Sequence, residues 1–130
     1  MAKNFEELFK KYNKTNISFV APTDSEERIK TITTNAKKFI YMVAYAGITG
    51  SGQKEDLSKI IENVRKYSQT PLYIGFGVDE KTCKEKIIGV DGVIVGSAFV
   101  KHIIDNSLSN SEKIKKISAI AKEIKEKINE

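Results

Sequence analysis

Apolar residues recur three and four apart at Phe5, Leu8, Phe9 and Tyr12, which predicts an amphipathic helix from Asn4 to Tyr12. The rhythm then changes. Asn16 to Ala21 is a β-branched and aromatic run closed by Pro22, the pattern of a first strand. Thr23 or Asp24 is placed to cap a helix from Ser25 to Asn35, with Glu26 and Glu27 in its first turn, where negative charge is favourable. Lys38 to Val43 is nearly apolar throughout, as strands covered on both faces are. A glycine-rich stretch from Ala44 to Lys54 and a helix from Leu57 to Tyr67 follow. Leu72 to Gly75 reads as a third strand, Asp79 as the cap of a helix reaching Ile87, and Gly92 to Val95 as a fourth strand. Ser97 to Ile104 is a short helical stretch. The break Asn106 to Asn110 separates it from a long helix, Ser111 to Ile128, whose stripe is Ile114, Ile117, Ile120, Ile124 and Ile128.

Strict alternation of strand and helix predicts parallel strands joined by right-handed crossovers, an α/β architecture. The third and fourth strands both end in glycines. Gly96-Ser97-Ala98 opens the short helix, whose first N–H groups have no partner within it and favour an anion, with phosphate the usual occupant. Gly75-Phe76-Gly77 ends the preceding strand in a stretch that lets backbone approach a ligand closely. Two neighbouring loops are therefore expected to share one anion. In eight-stranded barrel enzymes such a site lies at the loops after the last two strands and at a short extra helix, and this chain has a short extra helix after its last strand.

At 130 residues the chain is expected to be one domain, residues 1–130, with a single core. No run approaches the ~20 apolar residues of a membrane span. The opening stretch lacks the apolar centre of a signal peptide, so a cytoplasmic location is expected. Cys83 is alone, which excludes an internal disulfide and a cysteine metal cluster, and it reads as a half-buried helix residue. The net charge of +5 comes from basic residues interleaved with acidic ones, the look of a solvated helix face, and no nucleic-acid surface is expected.

Several motifs come close to known chemistry and fail. In Gly47 to Lys54 a glutamine stands where a nucleotide phosphate loop needs its lysine, and Glu55 follows Lys54 where that motif needs serine or threonine. Gly75-Phe76-Gly77 begins like a dinucleotide fingerprint, but Glu80 occupies the third glycine position. The 44–54 stretch is better read as a lid closing over substrate. His102 is read as an ordinary helical histidine. Asp24 and Asp79 follow strands, yet both stand where caps belong, and no pair of carboxylates presents itself as acid and base.

The stretches FVAPTDSEERI, FIYMVAYAGITG, PLYIGFGV and GVIVGSAFVKHI stand in the order and spacing of the tryptophan synthase alpha subunit family, which the chain resembles over essentially its whole length. The resemblance covers only the second half of that family's eight-stranded barrel. It implies half of a (β/α)8 TIM barrel, four parallel strands alternating with helices plus the short extra phosphate-site helix. It implies a lyase lineage: cleavage of indole-3-glycerol phosphate to indole and glyceraldehyde 3-phosphate, a retro-aldol reaction of tryptophan biosynthesis that uses no metal or organic cofactor. On the family's pattern Gly50, Gly77, Gly96 and Ser97 hold the substrate phosphate, Tyr41 and Phe76 lie beside the indole, and Thr49 is the threonine of the closing loop. Tyr45 departs from the pattern, standing where many members have an arginine.

The glutamate and aspartate that transfer protons in the family come from its first half, and nothing in this chain matches them. General acid–base groups are worth roughly 100- to 10,000-fold each, so the chain alone is expected to be almost inert. The resemblance also implies the tryptophan synthase beta subunit as partner. Two open sheet edges, Asn16 to Val20 and Gly92 to Val95, are expected to associate, giving a dimer in which two copies pair into one ring. The rival readings are a noncatalytic self-associating module and a basic nucleic-acid binder.

Overall fold

The computed structural model describes residues 3–44 and 56–130, and the expected lid apart from Ala44, with Tyr45, Thr49 and Gly50, lies outside the described residues. The element order is α1 (Lys3–Lys11), β1 (Ser18–Val20), α2 (Glu26–Thr34), β2 (Ile40–Val43), α3 (Ser58–Tyr67), β3 (Leu72–Gly75), α4 (Cys83–Lys86), β4 (Gly92–Val93), α5 (Ser97–Ile103) and α6 (Asn110–Ile128). The strands form one parallel sheet in the order β1-β2-β3-β4, as strict alternation requires. Both edges fall on the strands expected to be open, β1 and β4.

Register assigns each residue to a face. Ser18, Ile40 and Leu72 stand side by side, and two residues on, Val20, Met42, Ile74 and Val93 do the same. The buried members of these rows pack against Ile29 of α2 and Ile60 and Val64 of α3 to make the main core. A second core joins Val78, Cys83 and Ile124, which ties the turn after β3 to α6. Cys83 is fully buried there rather than half-buried. The row between, Phe19, Tyr41, Tyr73 and Gly92, points to the opposite face, where Phe19 stacks on Tyr41 at 4.7 Å and Phe39 on Tyr73 at 5.1 Å. Among the described residues strand β2 is thus covered by helices on one face only, and Phe19 is 55% exposed.

Several elements differ from the sequence expectation for local reasons. Ser25, not Thr23 or Asp24, caps α2, accepting from the Arg28 N–H. Asp24 instead accepts from the Ala21 N–H and pairs with Arg28, closing the turn before the helix. Strand β2 starts two residues late because Lys38 has φ +67°, outside extended geometry. Helix α4 is one short turn: Asp79 holds the turn before it, accepting from the N–H groups of Lys81 and Thr82. Helix α6 starts one residue early because Ser109 and Glu112 form a reciprocal capping box. Its isoleucine stripe is buried at Ile124 but exposed at Ile114, and the stripe of α1 is likewise exposed at Phe5, Leu8 and Tyr12.

Candidate functional site

A cleft of about 380 Å³ opens where β3 ends and α5 begins. Its floor is Tyr41 from β2 and Ile94, which follows β4; one wall is the turn Phe76 to Asp79, and the other is Gly96 to Ala98 with Lys101. Of the site residues expected from sequence, Tyr41, Phe76, Gly77, Gly96 and Ser97 all line this one cleft. His102 and Asp24 do not line it.

The turn after β3 is built under backbone constraint. Phe76 has φ +72° and Gly77 φ +65°, so two successive residues are left-handed, and only the second is a glycine. A left-handed non-glycine residue costs about 1–2 kcal/mol, so packing and hydrogen bonds must hold it. Two features anchor the far side of this turn. Val78 is buried against Cys83 and Ile124. The Thr82 hydroxyl donates to the Gly77 carbonyl at 2.7 Å and accepts from the Asp79 N–H at 3.0 Å. The Phe76 ring, 57% exposed, is thereby held over the cleft instead of in the core.

Gly75 and Tyr41 are coupled. A Cβ on Gly75 would meet the Tyr41 hydroxyl at 1.9 Å and its ring at 2.2 Å, so the missing side chain is what lets Tyr41 lie across β3. Tyr73 stands in the same relation to Gly92, where a Cβ would come within 3.0 Å of its ring. Gly96 is the opposite case. A Cβ there would meet nothing within 4 Å among the described residues. No described neighbour packs into that vacancy, and Gly96 lines the cleft. Next to it, the Phe99 and Val100 N–H groups return to the Gly96 carbonyl, while among the described residues no acceptor meets the N–H of Ser97 or Ala98.

The cleft has one carboxylate among its described lining residues, Asp79. Burial pushes its pKa up, but hydrogen bonds from the Lys81 and Thr82 N–H groups and the Thr82 hydroxyl outweigh that and hold it below 3.8. It is ionised at neutral pH and engaged in shaping the turn. Among the described residues no group of three His, Cys, Asp or Glu side chains is arranged to hold a metal ion, and no helix is long and apolar enough to cross a membrane. Sequence reasoning missed Thr82 and Lys101, and it assigned Gly75 to close approach of a ligand without its contact with Tyr41. The Asp79-x-x-Thr82 spacing signals a side-chain-closed turn, whereas the Gly75–Tyr41 contact joins separate strands and has no local signal.

Residues 1–129 match the family described as tryptophan synthase alpha chain. The alpha chain of Wolinella succinogenes is 55% identical over 126 residues, covering 96% of this chain and 49% of its own length. That of Petrotoga mobilis is 40% identical over 126 residues, covering 92% and 49%. Among solved structures, tryptophan synthase subunit alpha from Campylobacter jejuni superposes with a TM-score of 0.76 at 29% identity, over 92% of this chain and 48% of that one. The subunit from Legionella pneumophila, at 23% identity and a TM-score of 0.73, carries the likeness of fold alone. The chain spans about half the length of the relatives it matches. With a family match running from one end to the other, on strands and turns laid out as described, the chain belongs to the tryptophan synthase alpha chain family.

Proposed function

We propose that this chain carries the phosphate-binding side of an indole-3-glycerol phosphate site and lacks the acid and base that cleave the substrate. Main-chain N–H groups of Gly77, Gly96 and Ser97, with the Ser97 hydroxyl, grip the phosphate. Tyr41 and Phe76 flank the indole. The single observation that supports this reading is Gly96: among the described residues nothing occupies its side-chain position, and it lines the cleft that the other four residues share. The missing side chain lets a ligand approach the backbone closely there.

The reaction of the family breaks a carbon–carbon bond and needs proton transfer at the indole and at the glycerol hydroxyl. Asp79, committed to its turn, is a poor candidate for either. The chain alone is therefore a binder with negligible turnover, and indole release from substrate is the measurement that checks it. Active alpha chains work with a beta subunit, and the completed barrel is the form expected to meet one.

The uncovered aromatic face and the exposed flanks of α1, α5 and α6 support association with a second half, either a copy of this chain or the half this chain lacks. Phe19, Ile103, Ile104 and Ile114 are each more than half exposed. Exposed apolar surface of this kind marks an interface when it is contiguous. Sedimentation at high concentration should show a dimer, and a concentrated monomer removes the self-association idea. The second reading is a noncatalytic self-associating module whose glycines serve only the turns. Titration with glycerol phosphate, followed through the amides of Gly96 and Ser97 by NMR, separates the two. Shifts at both amides are expected, and their absence at millimolar ligand favours the module.

A further inference from the structure

We propose that Lys101 supplies the positive charge of this anion site; the inference rests on the phosphate reading above. Lys101 follows Ser97 by four residues, so both lie on one face of α5, and both line the cleft. It is the only basic side chain among the lining residues described. Lys81 also acts on Asp79 but does not line the cleft, and two further lysines are engaged elsewhere. Lys113 Nζ donates to the Ile103 carbonyl at 2.7 Å, and Lys127 Nζ donates to the Glu80 carbonyl and to Glu123. Among the described residues Lys101 makes no ion pair or side-chain hydrogen bond.

The need for a cation comes from Asp79. Its ionised carboxylate lines the same cleft, so a phosphate held by neutral N–H donors alone would bind beside a fixed negative charge. Lys101 offsets that repulsion and adds a charge-assisted hydrogen bond. Its long stem lets the ammonium follow the phosphate, while the main-chain donors fix the phosphate's position. Lys101 thus sets affinity, and Gly96 and Ser97 set register.

The test uses the 130-residue chain titrated with glycerol phosphate, read from the Gly96 and Ser97 amides, in four forms: unaltered, Lys101→Gln, Lys101→Arg and Lys115→Gln. Lys115 is exposed on α6 and does not line the cleft, so it controls for net charge. Loss of a charged hydrogen-bond partner predicts roughly tenfold weaker binding for Lys101→Gln, with the same amides shifting. Its affinity should depend less steeply on salt, because one screened attraction is gone. Lys101→Arg should stay within about threefold, since the charge remains. Equal affinity and equal salt dependence in Lys101→Gln overturns the assignment and leaves the main-chain site standing. Equal weakening in Lys115→Gln overturns it too, by making the effect one of total charge. No amide shifts in the unaltered chain would remove the phosphate reading and Lys101 with it.

Discussion

The two faces of the sheet do different work. On one, aliphatic side chains of β1, β2 and β3 are sealed under α2 and α3, with Ile40, Met42, Leu72 and Ile74 at 0% exposure. On the other, Phe19, Tyr41 and Tyr73 lie in a row with no helix over them among the described residues, and glycines on the neighbouring strands make room for two of the rings. Residues adjacent along a strand therefore answer to separate demands. The sealed face supplies stability, and the open face, with the cleft at its end, supplies a surface that something else must complete.

The largest expected effect tests that division directly. Leu72→Ala should lose about 2–5 kcal/mol by leaving a cavity in the sealed face. Phe19→Ala should cost the isolated chain only about 0.5–1.5 kcal/mol, the worth of its stacking on Tyr41, because more than half of the residue is in solvent. Urea midpoints of the two variants measure the contrast, and similar losses would erase it. Gly75→Ala comes next. It drives a methyl group into the Tyr41 ring and should cost about 1–3 kcal/mol. Adding Tyr41→Ala should recover much of that loss, a coupling that a double-mutant cycle reads out.

A polar tie on the sealed side sets the next scale. Asp91 accepts from the Leu72 N–H at 2.8 Å and from Arg65 at 2.6 Å. The Leu72 N–H and then Arg65 hold its carboxyl below 3.8 against the opposing effect of burial. A depressed pKa means the stabilisation is fully present above the unfolded value and is lost as pH falls through the folded one. Asp91 is partly exposed, so Asp91→Asn should cost only about 1 kcal/mol at neutral pH. The difference from the unaltered chain should shrink once the pH drops below 3.8, in urea melts repeated across the acid range. Smallest in size, and opposite in sign, is Phe76→Gly. Removing a left-handed non-glycine residue should gain about 0.5–1 kcal/mol after the entropy of the new glycine is counted. The same variant should bind indole-bearing ligands more weakly, so stability and binding move apart at this residue alone.

The sealed face was largely legible in the residues. Period and punctuation locate every strand to within about two residues, and β-branched runs alternating with helical stretches leave parallel order as the consistent choice. The cleft was legible as far as glycines and a short helix could mark it, with Gly77, Gly96 and Ser97 in adjacent turns. What stayed hidden depends on contacts between distant segments. The Gly75 vacancy has meaning only once β2 lies beside β3, and Thr82 matters only through the fold of its own turn. The apolar stripes of α1 and α6 predict buried helices, yet Leu8 and Ile114 are exposed. Periodicity reports that a face wants cover and is silent on what covers it.

The claim on which the rest stands is that this chain contributes binding and must borrow its acid and base. It is tested by indole release from indole-3-glycerol phosphate, measured for the chain alone and after mixing with a separately produced N-terminal half of a related alpha chain. The account predicts no release above background from the chain alone, and release that rises with the added half until the two are equimolar. Turnover by the chain alone would contradict it.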